Sequence, residues 1–134
     1  MENVIDAQPK KTVVVVDDNQ QDLELMAHYI VRLGYNAVTF TNGNEGLDWL
    51  AKQNELPPLT LCDIRMDAGI DGFEFAKKFR KLKGGDFVAL LAYTGYVSDH
   101  VKRKTIEAGF DGCINKPPNA AALDQSRGAF VRLK

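Results

Sequence analysis

Disulfide and metal-thiolate chemistry have little to work with in this chain. Its 134 residues contain two cysteines, Cys62 and Cys113, each inside an apolar segment and without metal-ligand spacing. They read as small buried hydrophobes in a reducing compartment. Long apolar runs are missing as well. The longest, Val13 to Val16 and Phe87 to Ala92, fall far short of the about 20 residues that span a bilayer. The polar start, Met1 to Lys10, lacks a signal-peptide core. Charge of one sign is lacking too: 17 Lys and Arg face 18 Asp and Glu, a formal net charge of -1. That balance carries none of the basic footprint of a nucleic-acid or anionic-membrane binder. The expectation is a soluble, cytoplasmic protein with neither kind of partner.

What is present is an ordinary globular composition, 45% hydrophobic and 26% charged. A chain of this length folds as one compact domain and buries roughly two thirds of its unfolded surface without a disulfide or metal staple. Residues 1–10 read as a flexible leader and 11–134 as the domain, which leaves almost nothing for a second one.

The β-branched run Thr12 to Val16 predicts a strand buried on both faces, ending at Asp17-Asp18. Leu23, Met26, Ala27 and Ile30 then recur at helical spacing, with Asn19 or Asp22 as the cap and Gly34 as the stop. Asn36 to Phe40 predicts a short strand, and Leu47, Leu50 and Ala51 mark a second helix closed by Pro57-Pro58. A third strand, Leu59 to Cys62, ends at Asp63. A loop from Ile64 to Asp71 opens a helix with Phe75, Ala76, Phe79 and Leu82 inward, ended by Gly84-Gly85. Phe87 to Tyr93 predicts the most apolar strand, finishing at Thr94. A helix over about Ser98 to Ala108, a strand at Cys113-Ile114 reaching Lys116-Pro117-Pro118, and a last helix from Ala120 to about Leu133 complete the pattern.

Alternating strands and helices imply an α/β fold, a doubly wound five-stranded parallel sheet. The runs without alternation belong at its centre and the short ones at its edges, which favours the order 2-1-3-4-5 with right-handed crossovers. Ligands in such sheets bind beyond the carboxyl ends of the strands at the topological switch. Asp17, Asp18 and Asp63 stand there, so the pattern leads to an acidic pocket before any motif is considered.

Three converging carboxylates repel one another, and each raises its neighbours' pKa. A hard divalent cation relieves that repulsion, and Mg2+ suits a site with few protein ligands and several waters. Thr94 adds a hydroxyl at the same edge and Lys116 a positive charge. Such a set would stabilise a transferring phosphoryl group, with an Asp carboxylate as the nucleophile. Taken singly, each of these residues reads as a turn, a cap or a solvated lysine. Four strand ends agreeing in order is the signal. His28, Trp49 and the run Lys102-Arg103-Lys104 read as a boundary residue, a helix-edge packing group and a solvated helix face.

Asp17-Asp18, Asp63, Thr94 and Lys116-Pro117, with Asp71-Gly72 and Ala92-Tyr93-Thr94-Gly95, resemble the signature of response-regulator receiver domains over about residues 11–133. The resemblance implies the flavodoxin-like receiver fold and a stand-alone phosphorylatable switch of a two-component phosphorelay. In that family Asp63 would be the phosphoacceptor. Asp18 would bind Mg2+ directly, Asp17 through water, and the backbone carbonyl of Arg65 would complete the ligands. Thr94 and Lys116 would hold the phosphoryl oxygens, and such domains often carry a cis peptide at the position of Lys116-Pro117. The implied partners are a histidine kinase or histidine phosphotransfer protein as donor and a downstream protein not named by the sequence. The chain would be a monomer or a weak, phosphorylation-dependent dimer.

Two departures from the family pattern stand out. Asp67 occupies a loop position where Pro is usual, in a loop one residue longer. Cys113 takes the place of the aromatic ring that usually reports the movement of the Thr. The expectation is therefore a readout of Thr94 through Tyr96 or the loop Gly95 to Asp99, on the face formed by the fourth helix, fifth strand and last helix. The alternatives are a receiver cut from a hybrid kinase, an aspartyl-nucleophile phosphatase, a flavin-binding flavodoxin and a degenerate scaffold. The phosphatase would need an acid where Arg65 stands. The flavodoxin would need a Ser/Thr/Gly loop where Asp17-Asp18 stands, and a scaffold would have lost one of the site residues.

Overall fold

A computed structural model describes residues 11–67, 69–95 and 97–116. Within them the order is β1 (Thr12–Val16), α1 (Gln20–Arg32), β2 (Asn36–Phe40), α2 (Gly43–Ala51), β3 (Leu59–Cys62), α3 (Gly72–Arg80), β4 (Ala89–Thr94), α4 (Asp99–Ala108) and β5 (Gly112–Asn115). The five strands form one parallel sheet in the order β2-β1-β3-β4-β5, as the sequence predicts. Val16 lies beside Phe40 on one side and Cys62 on the other. Cys62 lies beside Ala92, and Thr94 beside Asn115. That register brings the carboxyl ends of β1, β3 and β4 to one edge of the sheet.

Val13 to Val16 have no exposed surface, because helices cover both faces of their strand. Val13 and Val15 pack with Leu23, Met26 and Ile30 of α1. Val14 and Val16 face α2 and α3, where Leu50, Phe75 and Phe79 complete a second core layer. Asn19 caps α1, its Oδ1 accepting from the Asp22 amide at 3.0 Å, and so resolves the choice the sequence leaves between those two residues. The chain turns after α1 at Gly34, whose φ of +97° is the left-handed region glycine favours.

The structure differs from these expectations, or refines them, in several places. Phe87 is not in β4, which begins at Ala89; its amide bonds back to the Gly84 carbonyl at 3.1 Å and its side chain is 90% exposed. Ala51 faces solvent, and Gly43 and Gly46 share the buried face of α2 with Leu47 and Leu50, since small residues let that helix approach Ile70 and Val16 closely. The second helix ends at Ala51 rather than at the prolines, and α3 ends at Arg80, before Leu82 and the glycine pair. Cys113 is only partly buried, unlike Cys62. His28 is exposed beside Tyr29, Trp49 packs at a helix edge with its ring 5.8 Å from Phe40, and Lys102, Arg103 and Lys104 are exposed. The helix expected over Ala120 to Leu133 lies outside the described residues.

Candidate functional site

The sheet ladder continues one step past its strands, and that extra step carries the site. The Asp17 amide donates to the Phe40 carbonyl at 3.0 Å, the Asp63 amide to Val16 at 2.9 Å, and the Lys116 amide to Thr94 at 2.8 Å. Each side chain therefore leaves from a backbone position held by its neighbouring strand. Asp17 is completely buried, and Asp63 and Thr94 are 6% and 4% exposed.

Asp17, Asp18 and Asp63 each offer a carboxylate oxygen within 4.8 Å of the others. Oδ1 of Asp17 accepts from the Asn19 amide at 2.9 Å, Oδ2 of Asp18 from the Asp67 amide at 2.8 Å, and Oδ1 of Asp63 from the Arg65 amide at 3.3 Å. Lys116 Nζ faces the other side of this cluster. It donates to Asp63 Oδ2 at 3.1 Å and to Asp22 Oδ2 at 3.1 Å. It also lies 2.5 Å from Asp17 Oδ2, a close ion pair outside hydrogen-bond geometry. The Tyr93 ring lies beside the ammonium, 4.9 Å from it.

These surroundings set the charge states. Burial raises the Asp63 carboxyl to about 6; Lys116 opposes the rise and Asp17 adds to it. Burial alone would lower the pKa of Lys116, but the Asp17 and Asp63 carboxylates outweigh it and hold the ammonium well above its usual range. Burial, followed by the charges of Asp63 and Asp17, raises the Cys62 thiol well above its ordinary value.

One lysine does not match this much negative charge, and Asp17 Oδ2 is buried without a hydrogen bond among the described residues. The three acids supply only hard oxygen donors. That set fits a hard cation such as Mg2+ and gives a softer metal no thiolate or imidazole.

Against known families, residues 13–126 match the model of the response regulator receiver domain. The chain belongs to that family. The receiver is 31% identical over 105 residues to the sensor histidine kinase CheAY of Helicobacter pylori, covering 78% of this chain and 13% of the kinase. It is 28% identical over 126 residues to the sensor histidine kinase RcsC of Salmonella typhi, covering 94% of this chain and again 13% of the kinase. The chain thus spans about an eighth of the length of these curated relatives. The solved structure of the chemotaxis protein CheY4 of Vibrio cholerae superposes with a TM-score of 0.81 at 26% identity, covering 93% of this chain and 99% of that one. The receiver is a domain of two-component signalling, and receiver domains generally bind Mg2+ at such an acidic pocket.

The structure brings Asp17, Asp18, Asp63 and Lys116 together and leaves Thr94 buried at the end of the neighbouring strand. Arg65 follows Asp63 with its side chain exposed. Tyr96 and Pro117, on which the readout and cis-peptide expectations fall, lie outside the described residues. Cys113 sits 3.3 Å from the Thr105 hydroxyl of α4, joining β5 to that helix. Asp22 is the site residue whose role the sequence did not signal. It reads there as a helix cap and stands here on Lys116, 94 positions away. Its only advance signal is an acid in the first turn of a helix that starts beside the pocket.

Among the described residues no helix is long and apolar enough to cross a membrane.

Proposed function

We propose that this receiver accepts a phosphoryl group on Asp63 from a phosphohistidine of a histidine kinase or histidine phosphotransfer protein, and signals in the cytoplasm through protein–protein contacts. The observation that carries the reading is the buried Asp63 carboxylate, 3.1 Å from Lys116 Nζ and within 4.8 Å of the Asp17 and Asp18 oxygens. In the transfer, an Asp63 carboxylate oxygen forms a bond to phosphorus as the phosphorus–nitrogen bond of the donor breaks. The electron pair of that bond stays on the imidazole. Lys116 meets the negative charge of the phosphoryl oxygens, and the Thr94 hydroxyl donates to one of them. Asp18, Asp17 through water, Asp63 and the Arg65 carbonyl would hold Mg2+. Bound there, the cation neutralises charge on the acids and the phosphoryl group. Later attack by water on phosphorus restores the carboxylate and releases inorganic phosphate.

The relatives support this reading, since two of them are sensor histidine kinases by name. Incubation with Mg2+ and acetyl phosphate, followed by intact-mass measurement, tests it. The expected result is an alkali-labile adduct of about 80 Da that disappears in Asp63→Asn and on chelation of the metal. An adduct that survives in Asp63→Asn, or none in the wild type, refutes it.

A further inference from the structure

The pocket contains one acid more than the proposed chemistry uses. Asp22 stands in the first turn of α1, held by the hydrogen bond from its amide to the Asn19 side chain at 3.0 Å. Its carboxylate lies as close to Lys116 as that of Asp63 does, 3.1 Å in each case. With Asp17, three carboxylates crowd a single ammonium, and the Tyr93 ring lies 4.9 Å from it. An ammonium has three protons and no further donor.

A phosphoryl group on Asp63 brings added negative charge and three strong acceptor oxygens. To engage it, Lys116, which donates to Asp63 and Asp22 and is ion-paired with Asp17, must share its charge between that group and the carboxylates already on it. Asp63 carries the group itself. Asp17 is completely buried at a strand end, with its other oxygen fixed by the Asn19 amide. The Asp22 side chain is 32% exposed and can turn to water, giving up only a partly screened ion pair. Asp22 is therefore the partner that yields.

We propose that Asp22 is a positioning residue acting through Lys116. It holds the ammonium while Asp63 is unmodified and competes with the phosphoryl group for it afterwards, so that the phosphorylated state is weaker and shorter-lived than the other site residues alone would make it. This rests on Asp63 as phosphoacceptor and Lys116 as the counter-charge of the phosphoryl group.

The test compares wild type with Asp22→Asn, which keeps the shape and removes the charge, and with Asp22→Ser, which removes charge and bulk. Asp22→Glu keeps the charge. Beryllofluoride, a tetrahedral mimic of a carboxylate-bound phosphoryl group, is titrated at saturating Mg2+ and followed by fluorine NMR. The acyl-phosphate half-life is measured by intact mass after acetyl phosphate is removed. Both neutral variants are expected to bind beryllofluoride about fivefold tighter, the effect of one partly screened ion pair, and to hold the phosphoryl group longer. Asp22→Glu should return towards wild type. A merely structural role in α1 would lower the melting temperature without tightening binding of the mimic. Neutral variants within twofold of wild type in both readouts, or Asp22→Glu matching Asp22→Asn, overturn the proposal. If wild type takes neither probe, or Asp63→Asn takes both, the assignment of Asp63 fails and this proposal with it. If wild type takes both and Asp22→Asn behaves identically, Asp22 alone is refuted.

Discussion

Replacing Gly72 by Ala puts a methyl group where the backbone of the proposed phosphoacceptor already lies. The added Cβ would sit 2.3 Å from the Asp63 carbonyl oxygen and 2.6 Å from the Ile64 Cα, about 1 Å short of ordinary contact, which begins at 3.4 Å. Both obstacles are main chain, so no side chain can rotate away. The Gly72 amide also bonds to the Ile64 carbonyl at 2.9 Å, which ties the start of α3 to the residue after Asp63. Either α3 or the end of β3 must therefore move by about 1 Å. Overpacking of this kind costs about 1–3 kcal/mol of stability, and a misplacement of about 1 Å at a reacting group costs on the order of a hundredfold in rate. The expected result for Gly72→Ala is a lowered melting temperature and a rate of phosphorylation by acetyl phosphate reduced by about two orders of magnitude. Gly46→Ala is the control. Its added Cβ meets the Val16 Cγ2 at 3.2 Å, a side chain that can give, so its rate should stay near wild type. Wild-type rate and stability in Gly72→Ala would refute the view that this close approach positions Asp63.

Three further outcomes follow from the same structure. Because the fold raises the Asp63 carboxyl from its usual 3.8 to about 6, the native state holds a proton that the unfolded chain releases, and the stability contributed by that proton is lost as pH rises between those values. In chelator, Asp63→Asn should therefore be more stable than wild type above pH 6 by on the order of 1 kcal/mol, with the gap closing below pH 4, as denaturant titrations at several pH values would show. Arg80 donates to the carbonyls of Gly109, Gly85 and Val88 at 2.7–2.8 Å and to Asp111 at 3.0 Å, all at the end of the sheet opposite the acids. Arg80→Met should cost about 2–4 kcal/mol while leaving phosphorylation near wild type, and Arg80→Lys should not restore stability because it lacks the planar fork. In native protein, iodoacetamide should modify Cys113 before Cys62, whose thiol is fully buried with a raised pKa; peptide mapping that finds Cys62 modified first would contradict this.

The strand order was legible because burial on both faces leaves a signature: Val13 to Val16 and Leu59 to Cys62 lack alternation and stand inside the sheet, and Asn36 to Phe40 stands at its edge. The acids were legible for the same reason, each following a strand whose end the pattern fixes. Phe87 was misread because an apolar run does not show where a turn interrupts it, and the reversal at Gly84 is a backbone event. Asp22 on Lys116 and Arg80 on Asp111 were invisible, since pairs 94 and 31 positions apart belong to no local period. The pair Asp71-Gly72 was noted as a family feature without the cause the structure supplies for the glycine, the Asp63 backbone beneath it.

Lys116 closes a pocket whose acids all belong to the first half of the chain, up to 99 residues earlier. During synthesis those carboxylates emerge first, and the positive charge that pairs with them comes last, after β5. A nascent or truncated chain that stops before β5 holds the acids without their lysine, so the proposed phosphoryl site is complete only once the sheet is. An unfinished receiver would lack the counter-charge proposed for the phosphoryl group.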